Sequence, residues 1–215
     1  MNNCNFKFQH YEETLKSALQ KGYSFFKFSD YDEGIKQSKV IFLRHDVDIS
    51  LTNALVFAQI EHGLNIQATY FLRVHGNYNL FNIKNHTIIK KILEMGHEIG
   101  LHFEGDFAKL VGENVLTSFQ RTKKILEISI NQKINGYSIH EPSRLGLMNE
   151  LDLNELGIKY HAYQDKFIED LKYISDSSAR WREGCMCSFI EKEVPKLCIL
   201  THPFWWFEES SLENY

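Results

Sequence analysis

Short runs of β-branched and aromatic residues alternate along this chain with longer stretches whose apolar positions recur at helical spacing. VIFLR (40–44) is the first clear strand signal. LTNALVFAQIEHG (51–63) follows as a helix closed by a glycine. ATYFLR (68–73) predicts the next strand, with a helix near 83–95, and HEIGLHF (97–103) a third, before a long helix near 109–130. INGYSIH (134–140) is a strand, a short helix follows near 147–155, and GIKYHAY (157–163) is again a strand. KYIS (172–175) and KLCILTH (196–202) complete a set of seven. Upstream, residues 8–39 predict an N-terminal helix and an aromatic loop, YSFFKFSDY, that covers part of the fold.

Strands separated by helices of this length imply an α/β fold with parallel strands and right-handed crossovers. Periodicity does not choose between an open sheet and a barrel, but both gather function at the C-terminal ends of their strands. That rim collects Asp46 and Asp48 after the first strand, His102 and His140 at the ends of the third and fourth, Asp176 after the sixth and His202 at the end of the last. Six ionisable residues from five strands at one end is the strongest functional signal in the chain.

Composition narrows the picture. The 215 residues suit one domain, 1–215, and 43% apolar with 13% aromatic residues fills a globular core. A net charge of −4 without a basic run argues against nucleic acid or an anionic membrane as partner. The start, MNNCNFKFQHYEETLK, lacks the apolar core of a signal peptide, and no stretch is apolar enough to insert in a bilayer. Four cysteines (Cys4, Cys185, Cys187, Cys198) show no disulfide framework, and Cys185-x-Cys187 is not a C-x-x-C redox or zinc motif. The expectation is reduced thiols in a cytoplasmic protein, with the oligomeric state left open.

Individual motifs carry both plain and chemical readings. Asp46 and Asp48, two apart on an extended chain, point the same way and suit a general base beside a metal ligand; alternatively Asp48 or Ser50 caps the next helix. GHEIGLHF is not the H-E-x-x-H zinc helix, because His97 and His102 are five apart and Ile99 and Gly100 fit a strand. His102 alone reaches the rim, and His97 is expected to bond backbone at the strand start. Glu104 and Asp106 beyond it are either hard ligands or a solvated acidic loop. THPFWWF sets Trp205 and Trp206 beside His202, and Trp181 lies among charges in SDSSARWREG; such rings stack on sugars or fill cores. No G-x-S-x-G, P-loop or G-x-G-x-x-G supports a serine hydrolase, NTPase or dinucleotide enzyme.

Taken together, LRHDVD, ATYFL, GHEIGLH, SIHEPS and LTHPFWW resemble the polysaccharide deacetylase family, the NodB homology domain of carbohydrate esterase family 4. The likeness runs from about residue 40 to 206 and looks nearest to the branch found in O-antigen and surface-polysaccharide gene clusters. It implies a distorted seven-stranded (β/α) barrel of the glycoside hydrolase/deacetylase type. It also implies Asp46 as base, Asp48 and His102 as metal ligands, and His202 as general acid. The family's second histidine falls on Asp106, a departure for which Glu104 is the alternative. The family's arginine before proline falls on His140; Arg44 and Arg182 are the candidates to replace it, with His45 and Arg44 expected to brace the carboxylates. Trp181, Trp205 and Trp206 are then expected to hold the sugar ring.

The function implied is a metal-dependent N-deacylase, with Zn2+ the expected metal and acetyl the expected acyl group. Its substrate would be a small-molecule or lipid-linked amino sugar of surface-polysaccharide precursor synthesis. The rivals are a metal-free sugar-binding or scaffolding pseudoenzyme, for which the missing histidine and arginine speak, and a metal-independent amide hydrolase or lyase on the same barrel.

Overall fold

Alternation gives every strand two faces, and this protein buries both. On one, Val40 and Phe42, with Phe71, Tyr160 and Cys198 from other strands, meet Phe28 and Phe167 in an inner aromatic plug. On the other, Ile41, Leu43, Tyr70, Leu72, Ile99 and Leu101 lie beneath the helices. The computed structural model describes residues 5–142 and 151–214.

The strands are β1 (Ser24–Phe26), β2 (Val40–Val47), β3 (Thr69–Leu72), β4 (Glu98–Phe103), β5 (Gly136–Ile139), β6 (Tyr160–His161), β7 (Lys172–Ser175) and β8 (Lys196–Thr201). Their order is β6-β5-β4-β3-β2-β8-β7, every ladder is parallel, and β1 adds to the start of β2. The seven strands read from the sequence thus form a parallel α/β half-barrel, open between β6 and β7. Two inward glycines make room for the plug. A Cβ at Gly100 would stand 2.5 Å from the Phe71 ring, and one at Gly136 would stand 2.1 Å from Tyr160.

The first six helices in chain order are α1 (Phe8–Gln20), α2 (Tyr31–Gly34), α3 (Leu51–Gly63), α4 (Ile83–Glu94), α5 (Gly105–Leu110) and α6 (Val115–Ile130). The single helix expected near 109–130 is two, because Gly112 takes φ +66° and Asn114 caps α6 through the amides of Leu116 and Thr117. Of the helix expected near 147–155, the part before residue 151 lies outside the described residues; a helical turn occupies Leu153–Leu156.

β2 runs three residues past its expected end, since Arg44–Val47 pair with β3 after β1 has left that edge. Asp46 therefore sits inside a strand, where its direction is fixed. The aromatic loop packs at the opposite end from the rim: the Phe28 amide donates to Thr69 Oγ1 and the Ser29 amide to Glu98 Oε2, both at strand starts.

Candidate active site

Strand β2 sends Arg44, Asp46 and, just past its end, Asp48 into the barrel mouth on one face. The helix that follows is capped by Ser50, whose Oγ accepts from the Asn53 amide, so Asp48 is released from capping. Arg44 is fully buried and grips Asp46 with two parallel bonds, Nε to Oδ1 at 3.2 Å and Nη2 to Oδ2 at 2.8 Å. It also donates to the Ala162 carbonyl and the Tyr163 hydroxyl, so its planar fork is held on three sides. Burial pushes the Asp46 carboxyl up, but Arg44, with His102 and His202 behind it, outweighs burial and holds it below the usual carboxylate range.

His102 ends β4 in register with Ser138 of β5, and its Nδ1 lies 2.6 Å from Ser138 Oγ. That hydroxyl donates to Asp46 Oδ1 at 3.4 Å, so it accepts from His102 Nδ1–H and leaves the Nε2 lone pair pointing outward. Nε2 stands 3.2 Å from Asp48 Oδ1 and 3.7 Å from Asp46 Oδ2. His140, one residue past β5, brings its Nε2 to 3.7 Å from the same Asp48 Oδ1. Burial, with the charges of His102 and Arg73, lowers the His140 pKa and favours the neutral imidazole. Burial would raise that of Asp48, yet the closeness of His102, and after it of His202 and His140, holds it well below its ordinary value.

Asp48 Oδ1 is buried and has no hydrogen-bond donor, although two imidazole nitrogens face it. A carboxylate oxygen opposed to a lone pair is unfavourable unless a cation lies between them. One oxygen and two nitrogen donors, all within 4.8 Å of one another, make Asp48, His102 and His140 a set that fits a divalent ion.

Across the mouth, His202 follows β8. Asp176, fully buried, accepts from the His202 backbone amide, from His202 Nδ1 at 2.6 Å and from the Trp206 indole at 2.8 Å. Burial lowers the His202 pKa, but the paired Asp176 charge dominates, with Asp46 and Asp48 adding, and carries it up to about 9. The imidazolium is therefore present at neutral pH. Asp46, Asp48, His102, His140 and His202 share a cavity of about 610 Å³ with Tyr163, Tyr173, Arg182 and Trp205.

This geometry can be set beside known proteins. No family model matches the chain, and no curated protein matches its sequence. Among solved structures, BA3943 of Bacillus anthracis, a CE4 family pseudoenzyme, superposes with a TM-score of 0.50 at 15% identity, over 83% of this chain and 58% of that one. The two share a parallel (β/α) half-barrel fold. The deacetylase PplD of Streptococcus pyogenes, in complex with acetate, gives 0.49 at 15% identity over 95% of this chain and 83% of its own. IcaB from Ammonifex degensii gives 0.49 at 16%, over 70% and 72%. The chain spans less than two thirds of the B. anthracis protein.

Within this half-barrel the expected site residues fall in different places. Asp46, Asp48, His102, His140 and His202 come together at the mouth, and Asp176 stands behind His202. Asp106 does not join them; it lies exposed in the first turn of α5. Glu104 is paired with Arg73, whose Nη1 also donates to the Asp48 carbonyl at 3.4 Å. Of the two candidate arginines Arg44 holds Asp46, while Arg182 lines the cavity wall.

His45 does not brace the carboxylates. Strand alternation turns it to the outer face, where Nδ1 meets Thr201 Oγ1 at 2.7 Å and Nε2 lies 2.8 Å from buried Glu61. His97 does bond backbone, accepting from the Ala68 amide and donating to the Ala58 carbonyl. The tryptophans separate as well. Trp206 is 0% exposed and serves Asp176, so it has no face for a sugar. Trp181 stacks on Phe6 outside the cavity lining, and Trp205 alone of the three lines the cavity. Ser138, Tyr163 and Arg73 were not singled out in the sequence; inward alternation on β5, opposite His102, is the signal that finds Ser138.

Proposed function

We propose that this rim is a metal-dependent N-deacylase centre that removes an acyl group, in the first instance acetyl, from an amino sugar. The observation that carries the reading is Asp48 Oδ1, buried without a donor and faced by two imidazole nitrogens, beside a carboxylate that an arginine keeps ionised. Asp48, His102 and His140 would hold the ion, with zinc the favoured choice for a one-oxygen, two-nitrogen set. Such an ion, when bound, polarises the acyl carbonyl and lowers the pKa of a bound water.

The chain's own residues supply the proton transfers. Asp46, held ionised by Arg44, accepts the proton of the attacking water. Arg44 fixes both carboxylate oxygens, so the proton acceptor does not rotate away from the mouth. His202, cationic at neutral pH, donates to the departing amine nitrogen from Nε2, while Asp176 holds its Nδ1. Trp205 and Tyr173 flank the cavity and offer faces to a sugar ring.

The pseudoenzyme reading keeps support from the B. anthracis neighbour, which shares the barrel and is a pseudoenzyme. His140 favours the enzyme, because it supplies the donor that linear spacing leaves missing. The test is metal content by mass spectrometry on protein purified without chelator or affinity tag, followed by acetate release from N-acetylated sugar nucleotides and from N-acetylated oligosaccharides. About one equivalent of metal fewer in Asp48→Ala than in wild type, with acetate release by wild type and none by Asp46→Ala, is expected. Protein that takes up no divalent ion on dialysis against zinc would sink the reading.

A further inference from the structure

Among the described residues the hydrolytic mouth uses no thiol, yet two thiols converge on a histidine far away in sequence. His10 on α1 is 8% exposed, and its Nε2 lies 3.3 Å from Cys185 Sγ, 175 residues on. Cys187 completes a trio whose donor atoms all lie within 4.8 Å of one another. Tetrahedral zinc, with Zn–S of about 2.3 Å and Zn–N of about 2.0 Å, sets its donors roughly 3.5–3.8 Å apart. The trio is therefore within a small side-chain rotation of that arrangement.

We infer that His10, Cys185 and Cys187 form a second metal site, for zinc or another thiophilic divalent ion, that ties α1 to the wall of the catalytic cavity. The donor chemistry separates the two sites: thiolates here select soft ions, whereas the mouth offers a carboxylate and two imidazoles. Cys198 does not compete, since it is buried in the barrel plug and burial pushes its thiol up to about 12. Between the two thiols, Met186 is anchored in the core, which fixes the segment that presents them.

The position gives the site its consequence. Arg182, Glu183 and Gly184, immediately before Cys185, line the cavity. The His10 ring lies parallel to Trp206, 6.5 Å between centroids, and Trp206 donates to the Asp176 that holds His202. An ion at the trio thus fastens the cavity wall to the same layer that supports His202.

Cobalt(II) is the probe, because thiolate ligation to it gives an intense near-ultraviolet charge-transfer band that oxygen and imidazole ligands do not give. Titration of reduced, untagged full-length protein should produce that band in wild type and equally in Asp48→Ala. The band should vanish in Cys185→Ser/Cys187→Ser, and in His10→Gln it should need at least tenfold more cobalt. On wild type itself, saturating zinc should slow alkylation of Cys185 and Cys187 by iodoacetamide at least tenfold, read by peptide mass spectrometry. It should also slow tryptic cleavage after Arg180 and Arg182. No charge-transfer band at saturating cobalt, a band that survives the double cysteine variant, or alkylation indifferent to zinc each overturns the inference.

Discussion

Arg44→Met is the sharpest test of how the site is held. The Arg44 side chain is 0% exposed and that of Asp46 2%, and the two share a bidentate pair with no solvent to take over for either partner. Removing one member of such a pair leaves an uncompensated buried charge and costs about 3–5 kcal/mol. For a chain of this length each kcal/mol lowers the melting temperature by roughly 2–4 °C, so a fall of ~6–20 °C is expected. The guanidinium carbon also lies 5.5 Å from the Phe71 ring centroid and 4.7 Å from that of Tyr163, contacts that methionine removes with the charge, so their loss adds to the deficit.

The measurement is urea denaturation followed by tryptophan fluorescence, in excess chelator so that no bound cation compensates Asp46 in either protein. In wild type the Asp46 pKa is lowered on folding. Its contribution is thus present above the unfolded value near ~3.9 and lost as pH falls through the folded one. Without Arg44 burial raises that pKa instead, so the deficit of the variant should be largest at pH 8 and shrink toward pH 5. Replacing both partners, Arg44→Met with Asp46→Leu, should recover stability to within about 1 kcal/mol of wild type. A single variant within about 1 kcal/mol of wild type at pH 8, or a deficit that does not change with pH, would refute the buried-pair argument.

Other perturbations separate the remaining roles. His140→Ala should weaken zinc binding at the mouth by more than the roughly 10–100-fold typical of losing an outer partner, while Asp106→Asn leaves it unchanged; competition with a chromophoric chelator reads both. Ser138→Ala, which frees His102 Nδ1, should weaken it by about 10–100-fold in the same assay. Deacetylation should decline as pH rises through about 9, where His202 loses its proton. Asp176→Asn should move that limb down toward the ordinary histidine value near ~6.5, seen in the kcat profile. The stability from the His202–Asp176 pair has the same sign, complete below the unfolded histidine value and lost as pH rises through about 9. Trp206→Phe leaves buried Asp176 Oδ2 one donor short and should cost about 1–3 kcal/mol in the same urea assay.

The architecture was legible because each strand is short, β-branched and separated from the next by a helical period. All seven core strands were read from those rhythms, and β2 overran its expected end only because lateral pairing with β3 prolonged it. What escaped was local. β1 is three residues long and owes its existence to the free edge of β2 rather than to its own pattern. The break between α5 and α6 depends on a positive φ at Gly112, and a single glycine inside a helical period carries too little weight to announce it.

The same distinction explains what the sequence revealed of the site. Asp46 and Asp48 were recognisable together because i and i+2 on an extended chain share a face, and that rule also sends His45 away from them. The third metal donor resisted because a linear spacing was sought for it. After β4 the chain enters α5 at Gly105, so Asp106 is carried outward within one turn. In a parallel barrel the neighbours of a rim residue are set by ladder register. His102 pairs with Ser138, and the residue that follows on the same inward face of β5 is His140. In the proposed centre a register step to the next strand supplies the nitrogen that a spacing of four along one strand–loop was expected to supply. Arg44 follows the same logic, reaching Asp46 from two residues back on its own strand instead of from the loop after β5. In the proposed centre the departures at Asp106 and His140 are therefore one exchange of geometry, each role being assigned to a residue that alternation and register already bring to the mouth.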